Sequence, residues 1–195
     1  MLGPEPSLSA NEPSLSAIVL RTATVGDADA LSRFAARVFV QTFAATASAA
    51  DIEAYLLECY SPAIQAGEIG DSRAVLFLAE DRTASGDSIV GYAHLVDEEA
   101  SSIELKRIYV DAVWQGRGLA RRLLEQVMKE AGIRGARRLW LSVWHRNDRA
   151  IAFYTKNGFR ISGEMRFDWG DDVEVGFVME IGLDALGKPM LSSRP

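Results

Sequence analysis

The spacing of apolar residues predicts an amphipathic helix in the segment that begins at Leu119. From there to Ala131, apolar side chains recur every three or four positions, which places them along one face of a helix. Gly132 follows as the expected stop of this helix. The preceding segment, SIELKRIYVDA, is rich in β-branched and aromatic residues and is typical of a strand. Gly116 and Gly118 therefore lie in a loop between a strand and a helix.

Similar patterns divide the rest of the chain into strands and helices. Thr24 with Asp27, and Ser48 with Asp51, are capping-box pairs, which predict that a helix begins after each of them. The other predicted segments are, in chain order, the strand AIVLRTAT, the hairpin strands RAVLFLAED and SIVGYAHLVD, the strand RLWLSVW, a helix from Asp148 to Asn157, and the closing strands FRISGEMRF and DVEVGFVMEIG. The resulting order, β-α-α-β-β-β-α-β-α-β-β, predicts an α/β fold with a mixed central sheet.

The strand SIELKRIYV has an irregular apolar pattern. Ile103 and Leu105 are apolar at odd positions, whereas Ile108 and Val110 are apolar at even positions. In a regular strand these two pairs would face opposite sides of the sheet. An extra residue at position 106 or 107, forming a β-bulge, would return all four side chains to one face. A strand buried on both faces explains the pattern equally well.

The glycine loop lies where a helix can bind an anion. The first N–H groups of a helix lack partners within the helix, and the helix dipole favours negative charge near them. Glycine in front of the helix lets a phosphate approach these groups. A tight turn without a ligand is the alternative. The loop lacks both the G-x-x-x-x-G-K-S/T pattern of P-loops and the third glycine of the dinucleotide-binding fingerprint.

Charge is divided unevenly along the chain. Between Glu104 and Arg160 there are 13 Lys and Arg against 5 Asp and Glu, whereas the remaining residues hold 8 against 22. The segment with the glycine loop therefore carries +8 and the remainder −14, which gives the net charge of −6. We expect the basic segment to bind an anion and the acidic remainder to favour a cation. We expect no nucleic-acid partner, because the whole chain is acidic.

Length and composition fit a single domain of 195 residues. The one cysteine, Cys59, excludes an intramolecular disulfide and metal sites built on several cysteines. Neither a signal peptide nor a membrane-spanning stretch is recognised, so we expect a cytoplasmic protein with no membrane partner. We expect a disordered tail at 1–17, where EPSLSA occurs twice, a domain at 18–182, and a loose tail at 183–195.

Two motifs, IYVDAVWQGRGLA and NDRAIAFYTKNGF, together with the order of elements, resemble the GNAT superfamily of acetyl-CoA-dependent N-acetyltransferases. The family's loop pattern R/Q-x-x-G-x-G/A is matched by Gln115, Gly118 and Ala120, although the frequent preceding proline is absent. The likeness covers residues 18–182 and implies a GNAT fold with acetyl-CoA as co-substrate. It implies that the coenzyme is held by Ile108, Tyr109, Val110, Gln115, Gly116, Arg117, Gly118, Leu119, Ala120, Arg121, Asn147 and Lys156.

The same resemblance implies catalytic roles for two side chains. Tyr154 would donate a proton to the leaving thiolate, with an aromatic of the helix core as the alternative. Glu104 is the candidate base for the amine, with an ordinary strand carboxylate as an equal alternative. The developing oxyanion would be met by a backbone N–H of the bulged strand, at Ile108. His94 and His145 are further candidates for the base, although a packed strand residue and a loop residue are the simpler interpretations.

The acceptor is expected over the first two helices and the closing strands. Segments such as FAATASAADIEAYL and ELKRIYV are similar to the branch that includes polyamine acetyltransferases, which implies direct transfer to a small-molecule primary amine, with a polyamine as the favoured case. Acetylation of a protein N-terminus or lysine, and a non-catalytic acyl-CoA-binding module, are the alternatives. A homodimer is left open. Candidate aromatic walls are Phe43, Tyr55, Trp114, Trp144 and Trp169, and candidate acidic residues are Asp168, Asp171, Asp172 and Glu174, with ordinary core and a solvated turn as the alternatives.

Overall fold

The computed structural model describes residues 14–84, 88–98, 101–169 and 172–190. Its centre is one mixed sheet with the strand order β1-β2-β3-β4-β5-β7-β6, in which only β4 and β5 are parallel. The strands are β1 (Ile18–Thr22), β2 (Ala74–Asp81), β3 (Ile89–Asp97), β4 (Ser102–Val110), β5 (Arg138–Trp144), β6 (Arg160–Trp169) and β7 (Asp172–Gly182). The helices are α1 (Ala28–Phe43), α2 (Ala49–Cys59), α3 (Pro62–Gly70), α4 (Leu119–Ile133) and α5 (Asp148–Lys156). The predicted α/β fold is confirmed, with one additional helix.

The two predicted capping pairs are found at the starts of the first two helical segments. The Asp27 carboxylate accepts a hydrogen bond from the Thr24 backbone N–H at 2.7 Å, and a short 3-10 turn leads from there into α1. The Ser48 hydroxyl accepts from the Asp51 N–H at 3.1 Å at the start of α2. Each bond satisfies a polar group that a helix end would otherwise leave without a partner.

Helix α3 is missing from the prediction. Ser61 caps it by accepting a hydrogen bond from the Ile64 N–H, and Pro62 occupies its first position, so its start follows ordinary rules. The helix is nevertheless only nine residues long and contains Gly67 and Gly70, which weaken the helical pattern. Contacts with α1 and β2 are what hold this segment in place.

Helices cover both faces of the sheet, which therefore separates two apolar cores. On one face, α1 buries Leu31 and Phe39. On the other face, α4 buries Leu123 and Val127. Each such side chain contributes about 1.5–3 kcal/mol through burial. The two cores fix which side chains of the central strands face which set of helices.

Strand β4 contains the bulge that its apolar pattern allowed. Arg107 lies opposite His94 and Leu105 lies opposite Leu95, so Lys106 is the extra residue. Ile103 and Ile108 consequently pack on the same core, as do Leu105 and Val110. Of the two explanations of the pattern, the bulge is confirmed. It also turns Arg107 and Tyr109 towards the face covered by α1, α2 and α3.

Strands β4 and β5 separate after a short paired section. Their pairing joins Ser102, Ile103 and Glu104 to residues 138–140, and no later residue of β4 has a partner on β5. Beyond Glu104 this edge of β4 is open, and β5 continues instead along β7. The sheet is thus split at its centre, and both cavities described below lie beside this opening.

Both ends of the described chain pack on α4. Nη1 of Arg122 donates hydrogen bonds of 3.0 Å to the carbonyl oxygens of Leu15 and Ile18, and residues 15–17 form a 3-10 turn. Leu183 is fully buried and bridges Pro189. Residues 14–17 and 183–190 of the predicted tails therefore contact the domain, and the remaining parts, 1–13 and 191–195, lie outside the described residues.

Gly132 does not stop α4, which continues to Ile133. A Cβ atom at position 132 would lie 2.3 Å from the backbone nitrogen of Gly187. The glycine is therefore required by the close crossing of the C-terminal segment. The turn that follows the helix uses Gly135 instead, at a φ of 76°.

Candidate active site

A first cavity, here called the glycine-loop cavity, has a volume of about 440 Å³ and lies between the open edge of β4, the start of α4 and helix α5. It is lined by Thr42, Ile108, Tyr109, Val110, Trp114, Gln115, Gly116, Gly118, Ala120, Arg121, Asn147, Arg149, Ala150, Phe153, Tyr154, Lys156 and Asn157. Most of the residues predicted to hold the coenzyme are therefore brought together around one cavity. The two exceptions are Arg117 and Leu119.

The glycine loop adopts a backbone conformation that other residues rarely take. Gly116 has a φ of 74° and Gly118 has a φ of 90°, both in the left-handed region. Gly118 is the N-cap of α4 and offers no side chain to the helix start. In the part of the chain that the structure describes, the N–H groups of Leu119, Ala120 and Arg121 have no hydrogen-bond acceptor. They form a helix start that can accept an anion, and it opens into the cavity at Ala120 and Arg121.

The basic side chains near this loop differ in their roles. Arg121 lines the cavity, and its Nε donates to Glu125, which lies outside the lining, at 3.0 Å. The Nε of Arg117 donates to the Val113 carbonyl at 2.9 Å, away from the cavity wall. Arg122 does not line the cavity, and its Nη1 donates to the N-terminal segment instead.

Arg149 is a cavity residue that the sequence did not single out. It lies in the first turn of α5 and donates a hydrogen bond to the side-chain oxygen of Gln115, which also lines the cavity. The only indication of this role in the sequence was its position two residues after Asn147, in a predicted helix. Together with Lys156 it adds positive charge to the wall opposite the start of α4.

Asn147 has both a structural contact and a free donor group. Its side-chain oxygen accepts a hydrogen bond from the Ala150 N–H at 3.1 Å and so caps α5. The amide nitrogen of the same side chain is left to donate into the cavity. Ile108, Tyr109 and Val110 offer the open main-chain edge of β4 nearby.

Tyr154 is 8% exposed and lines the glycine-loop cavity from α5. Its ring lies 5.3 Å from that of Phe153 and 5.5 Å from that of Phe159. Burial raises the pKa of the phenol well above its usual value, so the hydroxyl keeps its proton at any ordinary pH. Leu119, by contrast, is fully buried in the core, so only its main chain can contact a ligand.

A second cavity, here called the aromatic cavity, has a volume of about 360 Å³ and lies on the opposite side of the opening in the sheet. It is lined by Phe39, Phe43, Thr46, Ala47, Tyr55, Tyr60, Glu104, Lys106, Arg107, Tyr109, Ser142, Val143, Trp144, Met165 and Glu174. Tyr109 lines both cavities and stands between them.

Two carboxylates face the aromatic cavity. Burial raises the pKa of Glu104 above its ordinary value, which makes its carboxylate a stronger base. Glu174 accepts a hydrogen bond of 3.0 Å from the indole nitrogen of Trp144. Two cations, Lys106 and Arg107, line the same cavity. The acid candidate and the base candidate are thus on opposite sides of Tyr109.

The predicted acceptor residues are only partly brought together. Phe43, Tyr55 and Trp144 line the aromatic cavity, whereas Trp114 is buried beside the glycine loop. Of the acidic residues, Glu174 lines the aromatic cavity. Asp171, and the side chains of Asp168, Trp169 and Asp172, lie outside the described part of the structure.

Neither histidine takes the place of the base. His94 is 1% exposed, and burial lowers its pKa to about 4 although Glu68 lies 3.7 Å away. His145 follows β5, and its Nδ1 donates to the Val175 carbonyl oxygen at 2.8 Å. Among the described residues that line the two cavities, no histidine is found. The simpler interpretations, as packed and loop residues, are the ones that the structure supports.

A sheet that splits beside a helix start suited to anions offers a place for a phosphate and an open strand edge for an extended arm, which fits an enzyme that binds coenzyme A. Residues 41–159 match the Acetyltransferase (GNAT) family, and the chain belongs to this family. It is therefore an acyltransferase with acetyl-CoA as co-substrate. No helix within the described ranges is long and apolar enough to cross a membrane.

Relatives of known sequence and structure agree with this assignment. An uncharacterised N-acetyltransferase of Mycobacterium bovis is 34% identical over 78% of this chain and 96% of its own length. A spermidine N(1)-acetyltransferase of Thermoplasma acidophilum is 28% identical over 74% of this chain and 89% of its own length. The crystal structure of the PaiA N-acetyltransferase from T. acidophilum in complex with coenzyme A superposes with a TM-score of 0.71, at 25% identity, over 84% of this chain and 97% of that one.

Proposed function

We propose that the protein transfers an acetyl group from acetyl-CoA directly to a primary amine of a small molecule. One observation carries this proposal: the two cavities meet at Tyr109, with Tyr154 on one side and Glu104 on the other. A thioester bound on one side and an amine bound on the other would meet at the opening between β4 and β5.

The glycine-loop cavity supplies groups for each part of the coenzyme. The N–H groups at the start of α4 would bind the pyrophosphate, with Arg121, Arg149 and Lys156 adding positive charge. The pantetheine arm would pair with the open edge of β4 at residues 108–110, as an added strand does. The amide nitrogen of Asn147 would donate to the same arm.

The chemistry requires several proton or charge transfers. Glu104 would take a proton from the ammonium, and the freed amine would form a C–N bond to the thioester carbon. A backbone N–H of the bulged strand, at Ile108, would stabilise the oxyanion until the C–S bond breaks. The thiolate leaves with the bonding electron pair and would receive the proton of the Tyr154 hydroxyl. The attacking nitrogen would lose its second proton as the amide forms, and this proton would restore the phenol of Tyr154.

The relatives support a small amine as the partner. The T. acidophilum relative is named for spermidine, which makes a polyamine one candidate acceptor. A cytoplasmic location and the absence of a nucleic-acid partner belong to the same proposal, and a homodimer stays a prediction.

The test follows thiol release from acetyl-CoA with a panel of amines and identifies the product by mass. We expect Tyr154→Phe to bind coenzyme A normally and to lower kcat by roughly two to four orders of magnitude where chemistry limits the rate. Tyr92→Phe is the matched control, because Tyr92 is fully buried on β3 and lies outside both lining sets. An unchanged kcat in Tyr154→Phe, or no acetylated amine at all, would contradict the proposal.

A further inference from the structure

The wall of the aromatic cavity is a continuous group of rings from three elements. Phe39 stacks on Tyr55 at 4.5 Å with 10° between the rings, and it lies 4.7 Å from Phe43. Phe43 in turn lies 6.2 Å from Trp144 on β5. Tyr60 closes the group at 5.5 Å from Phe39. Such a wall can stack on a flat apolar group and bury it.

Charge in the same cavity is close to balanced. Glu104 and Glu174 face Lys106 and Arg107 among the described side chains of the lining. Behind the lining, Glu68 lies 2.6 Å from Arg107 and 3.7 Å from the Lys106 ammonium. Three carboxylates against two cations leave a surplus of one negative charge, which one ammonium would neutralise.

The acidic remainder of the sequence therefore does not translate into a strongly acidic cavity. A polyamine would bring one ammonium to Glu104 and place its other charges near Lys106 and Arg107. These ammonium groups and the two cations of the lining repel each other, and the repulsion is stronger in a site that excludes water. A monoamine avoids this repulsion and can bury its body against the rings.

Resting on the proposed acetyl transfer, we infer that the acceptor is an aryl-substituted monoamine, with its ring on the wall formed by Phe43, Tyr55 and Trp144. Its single ammonium lies between Glu104 and Glu174 and faces the cofactor side at Tyr109. The cavity volume of about 360 Å³ accommodates one such molecule.

The inference is tested by comparing 2-phenylethylamine, propylamine, spermidine and an N-terminal peptide as acceptors at saturating acetyl-CoA. We expect kcat/KM for 2-phenylethylamine to exceed that for propylamine by roughly ten- to a hundredfold, from burial of the ring. We expect spermidine to fall below 2-phenylethylamine. Spermidine or the peptide as the best acceptor would overturn the inference while leaving acetyl transfer intact. Failure of every amine would overturn the proposed function itself.

Two variants locate the effect in the cavity. Phe43→Ala should lower the ratio of kcat/KM for 2-phenylethylamine over propylamine by about tenfold, and Phe43→Leu by less. This ratio does not depend on the fraction of folded enzyme, so a loss of stability cannot imitate the result. Lys106→Met, which removes an exposed cation from the lining, should improve spermidine severalfold relative to 2-phenylethylamine. Unchanged ratios in Phe43→Ala and Lys106→Met would place the acceptor elsewhere.

Discussion

Nη1 of Arg107 lies 2.6 Å from Oε2 of Glu68, and both side chains are largely withdrawn from solvent. The pair ties β4 to α3 at the residue that follows the bulge. The guanidinium also lies 5.1 Å from the ring centroid of Tyr60, at the aromatic cavity. The ion pair with α3 therefore holds the bulge in place in addition to the strand pairing.

Removing one partner of this pair should destabilise the fold. Glu68→Gln leaves the buried Arg107 without its counter-charge, so we expect a loss of about 3 kcal/mol in the free energy of unfolding. We expect kcat to fall as well, because the bulge would lose its fixed position. Denaturant unfolding measures the first effect. Asp71→Asn is the control, since its exposed pair with Arg73 should matter little. Equal effects of the two substitutions would contradict this role.

The glycine loop allows a comparison between two glycines of matched conformation. Gly116 and Gly135 have φ values of 74° and 76°, and a Cβ atom at either position would meet no other atom within 4 Å. Alanine should therefore strain both positions by about 1–2 kcal/mol. We expect only Gly116→Ala to weaken coenzyme A binding in calorimetry, because only Gly116 lines the glycine-loop cavity. Equal affinities in the two variants would move the coenzyme elsewhere.

The raised pKa of Glu104 predicts a pH dependence. Burial favours the protonated carboxyl, so the base ionises at a higher pH than an ordinary glutamate and kcat/KM should rise with pH through that range. Deprotonation of the free amine adds a further rise at higher pH. Glu104→Gln should remove the first rise and keep the second, whereas Glu174→Gln should keep both. A full pH profile surviving in Glu104→Gln would exclude it as the base.

His94 predicts that stability depends on pH. Its pKa of about 4 in the folded protein lies below the ordinary value of 6.5, so the unfolded chain binds more protons between these values. Stability should therefore fall as the pH is lowered from 6.5 towards 4, by about 2–3 kcal/mol from this group. His94→Asn should lose this part of the slope in denaturant unfolding, whereas His145→Gln should keep it. The same slope in all three proteins would show that His94 does not cause it.

The elements with a clear apolar pattern in the sequence were predicted correctly. Helix α4 has a regular apolar face. The bulge at Lys106 is visible in the sequence because the apolar residues of β4 change there from odd to even positions. Helix α3 is short and contains two glycines, so its stability depends on neighbours that no local pattern describes.

Pairings between distant residues account for most of what the sequence did not reveal. Arg149 meets Gln115, and Arg107 meets Glu68, across separations of 34 and 39 residues. Arg122 lies in the basic segment near the glycine loop, yet it donates hydrogen bonds to Leu15 and Ile18, 107 and 104 residues away. The charge composition did not predict the nearly balanced charge of the aromatic cavity, because it gives the number of carboxylates and not the surface that they occupy.

The hydrogen bond between Arg122 and Leu15 has a consequence for the N-terminal segment. A Cβ atom at Gly118 would lie 3.3 Å from the Leu15 side chain, so this leucine sits directly against the turn that would bind pyrophosphate. Coenzyme A bound at that turn should therefore restrict the motion of residues 14–18, although these are far along the chain from Glu104 and Tyr154. Peptide bonds there should become harder for a protease to cut when coenzyme A is added, giving a footprint of cofactor binding that needs no knowledge of the acceptor.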